Sequence, residues 1–249
     1  MEFDAVILSG GRSARLGGAP KSELLYDGAT LLEHALRAIR GAAGIAVVGP
    51  DPGRLPTGVL ICREEPPYAG PAAAIAAGIS ALQRSRQTLD LAPPYTLVLA
   101  CDMPRAGAAV RALLDAAAEA PEVEAFMAVS PDGRRQPLVG LYSTTGLQHR
   151  TSDAARRGAL ENASVFALLA SLEVREVRVP EGSTDDVDTW DDATALGVTR
   201  PPDRPGNNDL ADHDGSEQNG LERDSRRPGS GPGAPQLNST LEANGEKPG

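Results

Sequence analysis

Residues 1–199 alternate between short apolar runs and helix-like segments, an order that few folds can accommodate. The apolar runs predict strands at residues 3–8, 45–49, 59–62, 95–101, 125–129, 138–142 and 174–179. Strands that alternate with helices form an open, mainly parallel sheet covered by helices on both faces. The pattern therefore predicts a three-layer, Rossmann-like α/β fold without internal repeats.

Local signals place the helices between these strands. Thr30 and Glu33 form a capping box, Pro71 suits a first helical position, and Ser164 and Thr189 can each cap a helix. The predicted helices cover residues 31–39, 71–86, 110–119, 165–172 and a short segment after Thr189. The turn 131–133, with sequence PDG, separates two strands.

The composition changes after about Thr199. Residues 201–249 are rich in proline and glycine and contain no aromatic residue and no Val, Ile, Met or Cys. Such a segment cannot bury enough apolar surface to offset its conformational entropy. We therefore predict one folded domain at 1–199 and a disordered, acidic tail at 200–249.

Charge and cysteine usage limit the partners and the compartment. A net charge of −10 argues against a general nucleic-acid or anionic-membrane binder. Cys62 and Cys101 lie in apolar runs without metal-ligand spacing, which predicts buried, reduced thiols. Glu2 and Asp4 replace the basic start of a signal peptide, and no apolar run approaches the length of a membrane span. We expect a cytoplasmic protein.

The segment LSGGRSARLGGAPK, residues 8–21, directly follows the first predicted strand. Its glycines allow backbone N–H groups to approach phosphate oxygens. It does not fit the P-loop, because Pro20 precedes the lysine and the helix begins only at Thr30. The segment predicts a loop that wraps around a polyphosphate, and a solvated basic loop is the alternative. Its positive charges are Arg12, Arg15 and Lys21.

The same segment resembles the signature L-[AS]-G-G-x-S-x-R-[ML]-G, followed by a lysine, of the molybdenum cofactor guanylyltransferases. These are nucleotidyltransferases with a GT-A-like, Rossmann-type fold. Leu16 stands where the family more often has methionine, and the resemblance spans about residues 3–197. It implies catalytic roles for Arg15 and Lys21. The implied nucleotide-binding residues of the segment are Leu8, Ser9, Gly10, Gly11, Arg12, Ser13 and Lys21.

Asp102 directly follows the buried run at 95–101, in the segment ACDMP. Open α/β sheets bind ligands at the carboxyl ends of their strands, and a carboxylate suits Mg²⁺. On the residues alone, Asp102 could instead cap the next helix. The resemblance implies a metal-binding and catalytic role, because A-C-D-x-P is the family's metal-binding segment.

A second carboxylate is expected in the segment DDVDT, residues 185–189. Related nucleotidyltransferases carry N-[VI]-[ND]-T-x-x-[DE] there, and its second polar residue, which reaches the metal, corresponds to Asp188. The alternative is that these acidic residues only stabilise a helix N-terminus, a role that suits Asp191 and Asp192. The expected cofactor is Mg²⁺, with Mn²⁺ as a substitute.

The segment EPPYAGP, residues 65–71, resembles the family's D-x-P-x-x-G-P-L-A-G segment near the nucleotide. The resemblance implies nucleotide contacts for Glu65, Gly70 and Pro71. A carboxylate there could accept hydrogen bonds from guanine, and an exposed charge before a proline turn is the alternative. Gly49 and Pro50 replace a family asparagine that contacts the nucleotide.

The segment RRQPL, residues 134–138, resembles the family's [RH]-x-[QH]-P-L, on the side expected to receive the pterin. It adds Gln136 to the implied binding residues. Two arginines beside a strand suit a phosphate or dithiolene anion, and a solvated hairpin turn is the alternative.

The resemblance implies a Mg²⁺-dependent transfer of GMP from GTP to the terminal phosphate of molybdopterin or Mo-molybdopterin, with release of pyrophosphate. CTP-using sister enzymes tend to carry LAAG, and Gly11 favours the larger purine. The alternatives are a cytidylyltransferase, a sugar- or polyol-phosphate nucleotidyltransferase and a non-catalytic nucleotide-binding module. Expected partners are these small molecules and proteins of cofactor synthesis or acceptor enzymes, and we expect a monomer or weak oligomer.

Overall fold

The structure is a computed structural model that describes residues 1–86 and 92–202. Its strands are Phe3–Leu8 (β1), Leu25–Tyr26 (β2), Ala29–Thr30 (β3), Ile45–Val48 (β4), Val59–Cys62 (β5), Tyr95–Ala100 (β6), Ala125–Val129 (β7), Arg135–Ser143 (β8) and Val174–Arg178 (β9). Its helices are Leu31–Ala38 (α1), Pro71–Ser85 (α2), Gly107–Glu119 (α3), Thr144–Arg156 (α4), Val165–Leu169 (α5) and Trp190–Leu196 (α6). The predicted tail lies outside the described residues beyond 202, so its disorder and the domain boundary stay predictions.

Seven of these strands form one mixed sheet, in the order β5-β4-β1-β6-β8-β7-β9. The first four are mutually parallel, β8 is antiparallel to both of its neighbours, and β9 is parallel to β7. Leu8 pairs with Val48 and Ala100, and Leu99 pairs with Val139. The carboxyl ends of β4, β1 and β6 therefore lie beside the start of β8. The predicted mainly parallel sheet is confirmed.

The sheet is buried on both faces. Helices α1 and α3 pack on the face that contains Ile7 and Leu99, whereas α2, α4 and α5 pack on the face that contains Val6 and Val98. Successive residues of a strand point to opposite faces. β1 and β6 therefore need apolar residues at consecutive positions, which explains their continuous apolar sequences. The predicted three-layer architecture is confirmed.

A third, smaller core fixes the long loop after β1 to the C-terminal part of the domain. Leu16 lies in a single 3₁₀ turn of that loop, Ala14–Leu16, and its side chain is fully buried. Leu25 and Thr199 exchange two backbone hydrogen bonds of 2.8 Å. The buried members of this core are Leu16, Leu24, Leu31, Val187, Ala193 and Val198. It holds the glycine-rich loop against the segment before α6.

The structure departs from the sequence predictions in its helices and at one cysteine. Helix α4 is not predicted, because most of its surface is polar and only a narrow stripe is buried. Helix α3 begins at Gly107 rather than at residue 110. Ser164 does cap α5, but the helix ends at Leu169 instead of near Leu172. Cys101 is buried as predicted, whereas Cys62 on the edge strand β5 is only half-buried.

Candidate active site

Lys21 joins two aspartates that are distant in sequence. Its Nζ donates a hydrogen bond of 2.9 Å to Oδ2 of Asp102 and one of 2.5 Å to Oδ1 of Asp188. The side chains of Lys21 and Asp102 are 18% and 19% exposed, and that of Asp188 is 50% exposed. The lysine and both carboxylates that the sequence singles out therefore lie in one cluster.

The fold explains why these three side chains meet. Asp102 follows β6 at the carboxyl edge of the sheet, and its backbone carbonyl accepts a 3.1 Å hydrogen bond from the N–H of Val187. Val187 is fully buried in the third core, beside Leu16 of the loop that carries Lys21. Helix α3 has Ala106 at its N-cap, so Asp102 does not cap that helix.

Asp186 belongs to the same cluster, although the sequence analysis did not single it out. Burial raises the pKa of its carboxyl group, and the negative charges of Asp102 and Asp188 raise it further. Alternate residues of an extended segment point to the same side. The sequence signal that could have revealed the position of Asp186 was its spacing from Asp188, with the apolar Val187 between them.

The cluster contains more carboxylates than closely bound ammonium groups. Burial lowers the pKa of Lys21, but the charges and hydrogen bonds of Asp102 and Asp188 outweigh it, so that pKa is raised overall. Arg15 adds only a distant contact, with 4.0 Å between its Nη1 and Oδ2 of Asp188, and its side chain is 75% exposed. Lys21 thus binds Asp102 and Asp188, and Asp186 adds a third carboxylate close enough for their charges to raise its pKa.

The oxygen atoms of this cluster fit a divalent cation. Oδ1 of Asp102 is buried and has no hydrogen-bond partner among the described residues. Within the ranges 1–86 and 92–202 there is no group of three His, Cys, Asp or Glu side chains arranged to hold a metal ion. Mg²⁺ usually takes one or two protein carboxylates and completes its shell with water and substrate phosphates. Asp102 and Asp188 fit that mode of binding.

The glycine-rich loop leaves β1 in close contact with the end of β4. Ser9 is buried, and its Oγ donates a 3.2 Å hydrogen bond to the carbonyl of Val48. A Cβ at Gly49 would lie 2.5 Å from that Oγ and 2.8 Å from the nitrogen of Gly10, and φ of Gly49 is +154°. The family asparagine is therefore excluded here by the loop's close approach.

The remaining part of the loop is exposed. Leu8 is buried at the end of β1, but Gly10, Gly11 and Arg12 face solvent. Gly11 has φ of +143°, which favours glycine, and a Cβ there would meet no atom within 4 Å. Ser13 adopts a left-handed conformation before the 3₁₀ turn that contains Arg15. Of the predicted nucleotide-binding residues, Gly10, Gly11 and Arg12 are therefore accessible, whereas Leu8 and Ser9 are buried at the start of the loop.

The segment before α2 places its two glutamates differently. Glu65 is exposed, whereas Glu64 is 8% exposed and accepts a 2.9 Å hydrogen bond from the N–H of Tyr68. Gly70 is the N-cap of α2 and Pro71 its first residue, as predicted. The sequence analysis missed Glu64, the buried carboxylate of this segment.

The predicted acceptor side lies at the start of β8, across β6 from the glycine-rich loop. Gln136 pairs with Ala128 of β7, next to a register shift in that strand pair. Arg135 donates a 2.6 Å hydrogen bond to Glu176 of β9. The charge of Arg134 acts on Asp186, where it opposes the rise of the pKa. Arg134, beside the predicted acceptor side, is therefore close enough to the carboxylate cluster for its charge to act on Asp186.

Comparisons with known proteins identify the family. Residues 5–174 match the family described as MobA-like NTP transferase domain. The chain belongs to this family. This MobA-like chain is 28% identical over 203 residues to the molybdenum cofactor guanylyltransferase of Burkholderia vietnamiensis (strain G4 / LMG 22486), covering 77% of the chain and 93% of the relative.

Solved structures confirm the fold of the MobA-like chain. The molybdopterin-guanine dinucleotide biosynthesis protein A of Archaeoglobus fulgidus matches with a TM-score of 0.57 and 19% identity, over 79% of this chain and 96% of that one. Rv0371c of Mycobacterium tuberculosis H37Rv, solved in complex with manganese, matches with a TM-score of 0.56 and 24% identity, over 79% and 98% of the two chains. The predicted family and nucleotidyltransferase class are confirmed.

Within residues 1–86 and 92–202, every helix is too short or too polar to span a bilayer.

Proposed function

We propose that this MobA-like nucleotidyltransferase transfers GMP from GTP to the terminal phosphate of molybdopterin or Mo-molybdopterin and releases pyrophosphate, in molybdenum cofactor biosynthesis. The observation that carries the proposal is the cluster of Lys21, Asp102 and Asp188 at the carboxyl edge of the sheet, beside the glycine-rich loop. The relative named molybdenum cofactor guanylyltransferase supports the choice of donor and acceptor.

In the proposed reaction, an oxygen of the acceptor phosphate attacks the α-phosphorus of GTP. The bond from that phosphorus to the bridging oxygen of the β-phosphate breaks, and pyrophosphate leaves with the bonding electrons. A phosphate monoester is largely ionised near neutral pH, since its second pKa is about 6. No strong general base is therefore needed, and the side chains act by positioning and by neutralising charge.

The glycine-rich loop supplies the groups that hold the triphosphate. Gly10 and Gly11 are exposed, so their backbone N–H groups would contact the phosphates, and Arg15 and Lys21 would add positive charge. The same two cations stabilise the negative charge that develops on the leaving pyrophosphate. The further nucleotide contacts that we propose are Leu8, Ser9, Arg12, Ser13, Glu65, Gly70 and Pro71, with Gln136 toward the acceptor.

Asp102 and Asp188 are the residues that would hold Mg²⁺, or Mn²⁺ in its place. A bound divalent cation polarises a phosphoryl oxygen and neutralises charge in the transition state. The buried, unpartnered Oδ1 of Asp102 supports this assignment. Lys21 contacts both carboxylates, so its ammonium group holds them close together. The same ammonium group would also contact the phosphates of the bound nucleotide. We place the reaction in the cytoplasm.

The test is a nucleotide-transfer assay on the purified chain. Incubation with GTP, Mg²⁺ and molybdopterin is expected to release pyrophosphate, and omission of the metal or of the acceptor is expected to stop the release. CTP is the matched control and is expected to react poorly. Preferred use of CTP would indicate a cytidylyltransferase, and use of a sugar or polyol phosphate would indicate a different acceptor. Binding of GTP without turnover on any acceptor would contradict the proposal.

A further inference from the structure

Tyr68 is an aromatic residue whose backbone and exposure are both unusual. Its φ is +67°, a left-handed conformation that is unfavourable for a residue with a Cβ. Its side chain is one of the exposed large apolar groups of the described residues, at 45%. A glycine would adopt this backbone conformation freely. An exposed ring on such an unfavourable backbone conformation points to a role for the ring itself.

The loop around Tyr68 holds its backbone in place. The buried carboxylate of Glu64 accepts the N–H of Tyr68 at 2.9 Å. The next residue, Ala69, is buried, and its carbonyl accepts a 2.7 Å hydrogen bond from the N–H of Asn162. The N–H of Ala69 donates in turn to the carbonyl of Pro66 at 3.2 Å. The backbone is therefore fixed on both sides of Tyr68, while its ring faces outward.

Two arginines from different loops lie over the Tyr68 ring. The Cζ atom of Arg12 is 5.5 Å and that of Arg63 5.1 Å from the ring centroid. Both distances are within the range of a cation–π interaction. Arg12 belongs to the glycine-rich loop, and Arg63 directly follows β5. The ring thus links the loop after β1 to the loop after β5.

The strand order places Tyr68 on the side away from the predicted acceptor. Asp102 directly follows β6 and contacts Lys21, and Gln136 lies beyond them on β8. On the opposite side, Gly49, which directly follows β4, contacts the glycine-rich loop, and β5 is the next strand. β5 lies two strand spacings, about 10 Å, from β1. If the phosphates of a nucleotide bind at Lys21 and the rest of the molecule extends away from β8, its base therefore lies toward Tyr68.

We propose that Tyr68 stacks on the purine base of the bound nucleotide, and that Arg12 and Arg63 hold its ring in position. This inference rests on the proposed function and adds to it a positioning residue for the base. Stacking on an aromatic side chain stabilises any base through its π-face, and a purine presents a larger face than a pyrimidine. Tyr68 would therefore favour GTP over CTP without a hydrogen bond to the base.

Calorimetric titration of the full chain with three probes tests this role. The probes are GTP, CTP and inorganic tripolyphosphate, each with Mg²⁺, and the variants are Tyr68→Phe, Tyr68→Ala and Tyr68→Gly. Loss of the ring is expected to weaken GTP binding by about 5- to 100-fold and CTP binding by less. Tripolyphosphate affinity is expected to stay unchanged, because this probe has no base. Tyr68→Phe keeps the ring and is expected to bind GTP like the wild type.

Tyr68→Gly also separates a binding role from a structural one. Glycine fits φ of +67° better, so this variant is expected to unfold at the same or a higher temperature while binding GTP more weakly. Wild-type GTP affinity in Tyr68→Gly, equal weakening of GTP and tripolyphosphate, or a lower unfolding temperature would each overturn the inference. A wild-type chain that binds neither GTP nor CTP would overturn the proposed function with it.

Discussion

The proposed site has a donor side, formed by Lys21, Asp102 and Asp188, and an acceptor side, at the start of β8. The two sides differ in how deeply their charged side chains are buried. On the donor side, Lys21 is mostly buried between two carboxylates, and its loop is anchored by the buried Leu16. On the acceptor side, Arg135 and Glu176 form a pair whose side chains are 63% and 46% exposed. Such exposed pairs contribute only about 0–1 kcal/mol. Lys21 and Asp102, which we propose to act on the nucleotide, are thus largely buried, whereas the charged pair on the proposed acceptor side lies on the surface.

The largest effect is expected from the donor-side cluster. Asp102→Asn keeps the shape of the side chain and removes its charge, and Lys21→Met removes the ammonium group. Each is expected to lower turnover by roughly 10²–10³-fold, the usual cost of deleting one group that stabilises transition-state charge. Pyrophosphate release measures turnover, and circular dichroism verifies that the variants fold.

Asp115→Asn is the matched control for Asp102→Asn, because Asp115 is exposed on α3. This control is expected to retain full activity. If Asp102→Asn keeps turnover within a few-fold of the wild type, the donor-side cluster is not the part of the site on which turnover depends most.

The apolar anchor of the donor side is tested by comparing two leucines. Leu16→Ala and Leu168→Ala both remove buried side chains, the first from the third core and the second from α5. Each is expected to reduce the free energy of unfolding by about 2–5 kcal/mol. Denaturant titration measures that loss.

GTP titration then distinguishes the two leucine variants at a temperature where both are folded. Only Leu16→Ala is expected to weaken GTP binding, because only that side chain holds the glycine-rich loop. Equal GTP affinity in the two variants would mean that the third core does not position this loop.

The parts of the molecule that the sequence predicts correctly are those in which local pattern and burial agree. The strands β1 and β6 are apolar at every position, and the Thr30 capping box forms as predicted. Helix α4 was missed because only four of its residues are buried, namely Thr144, Leu147, Thr151 and Ala154. Strand β8 extends beyond its predicted range because backbone pairing, with β7 at its start and with β6 at its end, defines its limits rather than the side-chain pattern.

The site residues also divide into those that the sequence predicts and those that it does not. Lys21 and Asp102 could be singled out from the sequence because both lie in segments that resemble the family's signatures. The structure places them in contact, and their roles in the reaction stay predictions. Glu64 and Asp186 were missed, since each stands beside another acidic residue and only the fold decides which of them is buried. The anchoring of Leu16 depends on contact with Val187, which is far away in the sequence.

A smaller effect is expected on the acceptor side. Arg134→Ala is expected to raise the KM for the acceptor by about tenfold, the usual scale for one hydrogen bond to a charged group. The KM for GTP is expected to stay unchanged, because Arg134 lies at the start of β8 rather than in the glycine-rich loop. Steady-state assays with each substrate varied in turn measure both values. An equal rise of the KM for GTP would show that Arg134 affects nucleotide binding as much as acceptor binding.

The smallest effect concerns the thiols at the ends of β5 and β6. Burial raises the pKa of Cys101, and the neighbouring charge of Asp102 raises it further; burial also raises the pKa of Cys62. A raised pKa lowers the thiolate fraction at a given pH, so both thiols are expected to react more slowly than a free thiol at pH 8. Labelling with a disulfide reagent is expected to modify Cys62 slowly and Cys101 only on unfolding. Rapid modification of Cys101 in the folded chain would contradict its burial.

The central claim is that Lys21, Asp102 and Asp188 form one metal–nucleotide centre, and Mn²⁺ binding tests it most directly. Electron paramagnetic resonance measures free Mn²⁺ in titrations of the wild type, Asp102→Asn and Asp188→Asn, with and without GTP. GTP is expected to tighten Mn²⁺ binding to the wild type, and each substitution is expected to weaken the GTP-dependent binding by about tenfold or more. Unchanged Mn²⁺ affinity in both variants would place the metal elsewhere and contradict the account.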